Sequence, residues 1–270
     1  MNAVDAARVL VVVPTLGHRL DYLRQTLASI SAQSLRADIV LVAPADAEQS
    51  RGLAESHGAS VVDDPGNLPS AINTGIAAAT DQEFVTWLGD DDLLEPGSLN
   101  ATVSALASDP PAVLAYGWCR YIDPEGRQLW LNKSGRLAER VLSWGPQLIP
   151  QPGMLVRRSA WNAVGGLDES LTMAFDFDLI LKLRKHGRLT CVEQPLASFR
   201  WHPDSLTVSS RTRNLEESQK VKRRQLSPAQ RKVAWTWEGP VRVATRVAAR
   251  QVSRRARRVA DSLPLDGSPA

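Results

Sequence analysis

The sequence predicts an α/β fold with a parallel sheet in its first half, a mixed second half and a basic helical tail. In the first hundred residues, short runs of β-branched side chains alternate with segments whose leucines recur at helical spacing. Such alternation implies right-handed crossovers between parallel strands. Later strand-like runs follow one another more closely, which indicates a mixed sheet. A chain of 270 residues with 43% hydrophobic content can bury its own core.

Each element of the first half is indicated by its own pattern. The continuous apolar run at residues 8–14 is typical of a central strand, and Leu20, Leu23, Leu27 and Ile30 predict an amphipathic helix after it. The elements expected next are a strand at 38–42, a helix at 48–57 ended by Gly58, a strand at 59–62, a helix at 68–79 and a strand at 84–88. Pro96 is expected at the first position of the following helix, which carries Leu99.

The second half has fewer regular signals. Strands are predicted at 113–116, 119–122 and 128–131, with a turn at 123–126 between the last two. A helix is predicted at 175–186, ended by Gly187.

Three consecutive carboxylates, Asp90, Asp91 and Asp92, directly follow the strand predicted at 84–88. Adjacent anions repel one another, so a fold keeps them at a strand end only beside a positive group, most often a divalent cation. The alternative is a solvated acidic turn. Because ligands of parallel sheets bind beyond the carboxyl ends of the strands, one crevice is expected there. The residues expected to line it are Pro14, Thr15, Asp46, Asp63, Asp64 and the triplet.

The helix predicted at 175–186 carries two aspartates in different positions. At about 100° per residue, Asp176 falls on the apolar face, whereas Asp178 falls on the opposite face, four residues before Lys182. We therefore predict that Asp178 is a solvated surface charge and that Asp176 points inward. There burial raises its pKa while the helix dipole and a nearby cation lower it, as suits a general base. The alternative is that Asp176 caps its own helix.

The net charge of +3 is divided unevenly along the chain. Residues 1–205 hold 17 Lys and Arg against 24 Asp and Glu, whereas residues 206–270 hold 15 against 5. We place a domain boundary at residues 205–211 and predict helices at 215–225 and 241–260 in the basic segment. Residues 229–270 are expected to attach to an anionic membrane surface. A solvated helix, a disordered tail and RNA binding are the alternatives, and without a recognised nucleic-acid module a nucleic acid partner is not expected.

Other features indicate a cytoplasmic protein. Cys119 and Cys191 lie in apolar, strand-like surroundings, which predicts buried free thiols in a reducing compartment. We expect no secretory signal and no membrane-spanning segment, since no apolar run approaches about 18 residues. Neither a GxGxxG nor a GxxxxGK[ST] pattern occurs, which argues against a dehydrogenase or a P-loop kinase.

Five segments, in this order, resemble the family 2 glycosyltransferases. They are VVVPTL at 11–16, NLPSAINTGI at 67–76, VTWLGDDDLLEPGSL at 85–99, GGLDESLTMAFDFDLILKL at 165–183 and FRWHPDSLT at 199–207. The similarity spans residues 1–205, which we expect to form one domain, with 206–270 as the basic tail. It implies a Rossmann-like GT-A fold, a UDP-, GDP- or dTDP-sugar donor, Mg²⁺ or Mn²⁺ as cofactor, and inversion at the anomeric carbon.

The resemblance also implies roles for single residues. Asp176 is the expected catalytic base, and Asp92 and His202 are the expected metal ligands, although a loop histidine without a ligand is the alternative for His202. The nucleotide-sugar-binding residues are expected to be Pro14, Thr15, Arg19, Asp46, Asn67, Asn73, Asp90 and Asp91. Many relatives have an acidic pair after the second strand, where this chain has Ala43 to Asp46, so the nucleotide stays open. Aromatic residues between 116 and 161 are expected to fill the core, with stacking on sugar rings as the alternative.

The sequence therefore predicts a cytoplasmic, metal-dependent, inverting glycosyltransferase. Its acceptor is expected to be a glycan or a lipid-linked molecule of the cell envelope, reached from the inner face of the plasma membrane. A relative that only binds a nucleotide or scaffolds partners at the membrane is the alternative. The presence of Asp92, Asp176 and His202 favours the enzyme.

Overall fold

The computed structural model of the chain describes residues 6–133, 135–142, 147–202 and 211–226, together with Thr236 and Gly239. The first half contains β1 (Val9–Pro14), α1 (Leu20–Ser31), β2 (Ala37–Ala43), α2 (Glu48–Ser56), β3 (Ser60–Asp63), α3 (Leu68–Ala77) and β4 (Phe84–Trp87). The second half contains β5 (Leu93–Leu94), α4 (Ser98–Ser108), β6 (Ala112–Ile122), β7 (Gln128–Asn132), α5 (Arg136–Val141), β8 (Leu155–Arg157), α6 (Arg158–Val164), α7 (Phe175–Leu183), β9 (Arg188–Arg200) and α8 (Arg211–Gln225).

These strands form one sheet in the order β3-β2-β1-β4-β8-β6-β9-β5, and β7 pairs with β6. The first four strands of this order are parallel, which confirms the predicted parallel half. The second half is mixed as predicted, because β8 runs antiparallel to both β4 and β6, whereas β6 and β9 are parallel. Since β1 and β4 are parallel neighbours, the loops that follow them meet at one edge of the sheet.

Strand β1 is buried on both faces and separates two apolar layers. Leu10 and Val12 belong to the layer that includes α3, α6 and α7. Val9, Val11 and Val13 belong to the opposite layer, which includes α1 and α4. This two-sided burial explains why the strand is a continuous apolar run rather than an alternating one.

Two local predictions of the second half are wrong. Helix α4 begins at Ser98 rather than Pro96, because Gly97 before it adopts a left-handed conformation with φ of 76°. The two strands expected at 113–116 and 119–122 are one strand, β6. Gly117 in its middle allows close packing, since a Cβ atom there would lie 2.6 Å from Leu196 Cδ1 on β9.

Helix α8 confirms the helix predicted at 215–225, but it packs onto the rest of the fold. Val221 is fully buried and belongs to the same apolar layer as Phe177. Arg224 Nη1 lies 2.7 Å from Asp168 Oδ2. The expected boundary at residues 205–211 therefore does not separate α8 from the body, because the basic composition concealed a buried contact. The helix predicted at 241–260 lies outside the described residues.

None of the described helices combines sufficient length with sufficient apolar character to cross a bilayer. Both cysteines are free; Cys119 is buried as predicted, whereas Cys191 is only half-buried.

The contact between α3 and the sheet can be tested at Gly75. A Cβ atom at this position would lie 2.5 Å from Val12 Cγ1 and 2.9 Å from Val42 Cγ2. Gly75→Ala should therefore overpack the core and lower the free energy of unfolding, measured with urea, by about 1–3 kcal/mol. Gly52→Ala is the matched control, since Gly52 is exposed in α2 and a Cβ atom there would have no neighbour within 4 Å. That control should raise the free energy of unfolding by about 0.5–1 kcal/mol, and equal effects at both positions would contradict this packing.

Candidate active site

A cavity of about 710 Å³ opens at the carboxyl ends of β1 and β4. Its walls come from the loops after these strands, from the loop at 147–152, from the N-terminus of α7 and from one side of α8. The predicted site residues that line it are Pro14, Thr15, Arg19, Asn67, Asp90, Asp91, Asp92 and Asp176. Residues that the sequence did not indicate are Gln147, Leu148, Asn214, Ser218, Gln219 and Lys222.

Arg19 supplies a positive charge to two members of the triplet. Its Nη2 atom lies 2.9 Å from Asp90 Oδ1, and its Nη1 atom lies 2.6 Å from Asp91 Oδ2. Thr15 Oγ1 donates a hydrogen bond of 2.6 Å to Asp90 Oδ2. Burial raises the pKa of Asp90, and Arg19 and Thr15 offset this only in part. The positive partner that the triplet requires is thus, for Asp90 and Asp91, a side chain of the protein.

Asp91 is the triplet member whose charge is best compensated. His202 Nε2 lies 2.8 Å from Asp91 Oδ2, so its proton can donate to this carboxylate, and it lies 3.1 Å from Arg19 Nη1. Burial raises the pKa of Asp91, but the bond to His202 and the charge of Arg19 outweigh it and hold the pKa below its ordinary value. His202 is therefore engaged by Asp91, whereas the sequence predicted it beside Asp92 as a metal ligand.

The negative charge of Asp92 is offset less than that of Asp91 by the groups around it. Its side chain is buried, and its Oδ1 atom accepts a hydrogen bond of 3.0 Å from the backbone N–H of Arg200. Burial and the neighbouring charge of Asp91 raise its pKa well above the ordinary value. A buried carboxylate whose charge is only partly offset and that lines a cavity fits a hard divalent cation such as Mg²⁺ or Mn²⁺.

The number of protein ligands is also informative. Within the described ranges, no group of three or more His, Cys, Asp or Glu side chains is placed to hold a metal ion. Mg²⁺ often binds through only one or two carboxylates and completes its shell with water and substrate phosphates. Asp92 therefore fits as a protein ligand of an ion that is held mainly together with a phosphorylated substrate.

Arg200 fixes the backbone of the triplet from its buried side. Its side chain is fully buried, and Nε donates to the carbonyl oxygen of Asp91 at 3.0 Å. Nη1 donates to the carbonyl oxygen of Pro124 at 2.7 Å, and Nη2 donates to Gln25 Oε1 at 2.9 Å. Sequence reasoning missed this residue, although a charged side chain at the end of an apolar strand, two positions before His202, was a usable signal.

Asp176 faces the cavity from the second position of α7. Gln147 Nε2 donates to its Oδ2 atom at 2.7 Å, and the backbone N–H of Phe177 donates to its Oδ1 atom at 2.7 Å. Burial raises the pKa of Asp176, and these two bonds offset this in part. The N-cap of α7 is Ala174, so the alternative that Asp176 caps the helix is wrong. A carboxylate with a raised pKa at a cavity wall can accept a proton from a bound hydroxyl. No sequence pattern indicated Gln147.

Asp178 is not the solvated surface charge that the helical pattern predicted. It is only 2% exposed, and its Oδ2 atom lies 2.7 Å from Lys182 Nζ. Helix α7 packs against both α6 and α8, so the side of the helix that the pattern assigned to solvent is covered.

Two predicted nucleotide-sugar-binding residues lie away from the cavity wall. Asp46 is exposed after β2 and does not line the cavity. Asn73 holds the loop before α7, because its Nδ2 atom donates to the carbonyl oxygen of Leu167 at 3.0 Å and its Oδ1 atom accepts from the N–H of Leu167 at 3.0 Å. Asn67 lines the cavity and also caps α3, since its Oδ1 atom accepts from the N–H of Ser70 at 2.9 Å.

Comparisons with known proteins identify the family of the chain and its fold. The sequence model of the family described as "Glycosyl transferase family 2" matches residues 10–165, which is more than half of the chain. The O-antigen biosynthesis protein RfbC of Myxococcus xanthus is 29% identical over 221 residues, covering 76% of this chain and 16% of that protein. Chondroitin synthase of Escherichia coli is 28% identical over 120 residues, covering 44% of this chain and 17% of that protein. The chain thus spans about a sixth of the length of these relatives.

Solved structures show the same fold. The crystal structure of S. aureus TarS 1–349 in complex with UDP-GlcNAc has a TM-score of 0.64 and 15% sequence identity, covering 84% of this chain and 70% of that one. The mannosyltransferase PcManGT from Pyrobaculum calidifontis, in complex with GDP-Man and Mn²⁺, has a TM-score of 0.61 and 18% identity, covering 97% of this chain and 78% of that one.

Proposed function

The chain belongs to glycosyl transferase family 2 and has the GT-A fold, and from this we propose that it transfers a sugar from a nucleotide-diphosphate donor to a hydroxyl group of an acceptor, with inversion at the anomeric carbon. The observation that carries the proposal is the presence of an acidic triplet and a separate carboxylate, Asp176, on the walls of one cavity. The triplet suits the phosphates of the donor, and Asp176 suits the hydroxyl of the acceptor.

We assign the donor to the part of the cavity lined by Thr15, Arg19, Asn67 and the triplet. TarS was solved with UDP-GlcNAc and PcManGT with GDP-Man and Mn²⁺, which supports a nucleotide-sugar donor without fixing the base or the sugar. Asp92 would hold Mg²⁺ or Mn²⁺, an ion that offsets the negative charge developing on the departing diphosphate. Arg19, beside Asp90 and Asp91, adds a fixed positive charge at the same end of the cavity.

Asp176 takes the role of general base in this proposal. The acceptor oxygen forms a bond to the anomeric carbon, and its proton passes to the Asp176 carboxylate. The bond between the anomeric carbon and the diphosphate oxygen breaks, and the nucleoside diphosphate leaves with the electron pair. Attack from the face opposite to the leaving group inverts the anomeric carbon. The raised pKa of Asp176 makes it a better proton acceptor than an ordinary aspartate.

The acceptor is proposed to be a glycan or a lipid-linked molecule of the cell envelope. The names of two relatives refer to O-antigen biosynthesis and to chondroitin synthesis, which supports a glycan acceptor. The acceptor would enter between Asp176 and the side of α8 that carries Asn214, Ser218 and Gln219, since these residues line the same cavity. Their hydroxyl and amide groups can exchange hydrogen bonds with sugar hydroxyls.

Donor binding is testable by thermal shift. UDP or GDP at about 100 times its Kd should raise the melting temperature on the order of 5 °C, and only in the presence of Mg²⁺ or Mn²⁺. Asp92→Ala should abolish the shift. Asp46→Ala is the control and should retain the shift, because Asp46 is exposed and lies away from the cavity wall. Equal stabilisation in EDTA would contradict the role of Asp92.

Two variants test Asp176. Asp176→Asn should lower kcat by about 10²-fold or more and leave the nucleotide-induced thermal shift intact. Gln147→Ala should move the acid limb of the kcat profile to higher pH, because it removes a hydrogen bond that favours the charged carboxylate and so raises the pKa of Asp176 further.

The control for this pH shift is Gln151→Ala. Gln151 lies on the same loop, but its Nε2 atom donates to the carbonyl oxygen of Trp87 at 2.9 Å rather than to Asp176. In Gln151→Ala, the acid limb of the plot of kcat against pH should coincide with that of the parent protein. If Gln147→Ala does not shift the acid limb of kcat, then a group other than Asp176 determines that limb.

We also propose that residues 229–270 attach the protein, in the cytoplasm, to an anionic membrane surface. Support comes from charge, since residues 206–270 carry 15 Lys and Arg against 5 Asp and Glu. The protein should then sediment with liposomes that contain anionic lipid at low salt and detach near molar salt, where the Debye length is about 3 Å. A chain ending at residue 228 should lose this binding and keep the nucleotide-induced thermal shift. Sedimentation of that shorter chain, or a preference of the full chain for RNA, would contradict membrane attachment.

A further inference from the structure

The N-terminus of α7, which carries Asp176, has no side-chain cap from its own N-cap residue, Ala174. The first backbone N–H groups of a helix have no partner within the helix and need acceptors from elsewhere. Such acceptors also fix where the helix begins in space. At α7 this position matters because Asp176 is its second residue.

Glu217 of α8 provides an acceptor for the N–H of the N-cap residue Ala174 and for the residues directly before it. Its Oε2 atom accepts hydrogen bonds from the backbone N–H of Met173 at 2.7 Å and of Ala174 at 3.1 Å. Its Oε1 atom accepts from Thr172 Oγ1 at 2.6 Å, and the N–H of Thr172 lies 3.1–3.2 Å from both oxygens. Burial raises the pKa of Glu217, but these bonds outweigh it and leave the pKa below its ordinary value. The carboxylate is thus ionised where the positive end of the α7 dipole favours a negative charge.

The anchored residues lead directly into the cavity. Met173 and Phe175 line its wall, and Asp176 follows them. Residues 172–174 run directly into the first turn of α7, so their displacement also displaces Asp176. Hydrogen bonds to a carboxylate are stronger than neutral ones, so Glu217 anchors this segment firmly to α8.

We propose that Glu217 is a positioning residue, which acts on proton transfer through α7 by fixing Asp176 relative to the acceptor. This inference rests on the proposed role of Asp176 as general base. Glu217 itself does not line the cavity, so its effect is expected on kcat rather than on donor binding.

The test compares Glu217→Ala with two controls on α8. Glu217→Ala should lower kcat by about 10-fold to 10²-fold, as small misplacements of reacting groups do, with an unchanged nucleotide-induced thermal shift. Glu217→Gln, which keeps one oxygen acceptor and the side-chain size, should lose less. Glu216→Ala changes the exposed neighbouring residue, and Arg224→Ala removes the separate contact to Asp168, so both should retain kcat.

Hydrogen exchange separates positioning from general loss of structure. In Glu217→Ala the amides of residues 172–177 should exchange faster while those of β1 and β4 stay protected. Faster exchange throughout the protein, or a loss of kcat equal to that of Arg224→Ala, would mean that Glu217 only stabilises the fold and would overturn the inference.

A double variant separates this inference from the proposed function. If Glu217 acts through Asp176, adding Glu217→Ala to Asp176→Asn should cause no further loss of kcat. The same fold loss in both backgrounds would overturn the inference and leave Asp176 as the base. Retention of full kcat by Asp176→Asn alone would instead refute the proposed function, and with it the premise of the inference.

Discussion

Four carboxylates line one cavity, and burying them costs free energy that the rest of the fold must offset. Asp90, Asp91 and Asp92 follow one strand, and Asp176 reaches the same space from α7. An uncompensated buried charge destabilises a protein by several kcal/mol, so partners are required. Arg19 comes from the loop after β1, and Arg200 comes from the end of β9. The adjacency of β1 with β4 and of β5 with β9 is what brings both arginines to the triplet.

The negative charges of these carboxylates are offset to different extents by the groups around them, and this difference fits the different chemical roles proposed for them. Asp91 has both Arg19 and His202 beside it, and they hold its pKa below the ordinary value. The pKa values of Asp92 and Asp176 are raised because burial outweighs the groups around them. The pKa of Asp90 is raised as well, but Asp90 already has Arg19 and Thr15 as partners, whereas a cation would stabilise Asp92 and a proton would stabilise Asp176. The proposed roles thus agree with the electrostatic environment of each side chain as well as with family membership.

The sequence was informative where local rules decide the structure. The parallel strands, the helices between them and the place of the triplet depend on periodicity and on the rule that ligands bind at strand ends, and they were predicted correctly. Predictions were wrong where a distant element decides. The hydrophobic pattern of α7 could not show that α6 and α8 would cover Asp178. Likewise, the sequence around Asn73 could not show that its side chain would hydrogen-bond the backbone of Leu167. Gln147 and Glu217 were missed for the same reason, since each contact joins segments that only the fold brings together.

Helix α8 shows most clearly why composition is a poor guide to the limits of a functional unit. Its charge assigned it to a basic tail, yet Val221 is in the core, Glu217 holds the residues directly before α7 and the side that carries Ser218 lines the cavity. A basic helix can meet all three requirements because several of its charged residues, among them Arg213, Lys220 and Arg223, lie on its exposed side. The catalytic unit therefore extends at least to Gln225.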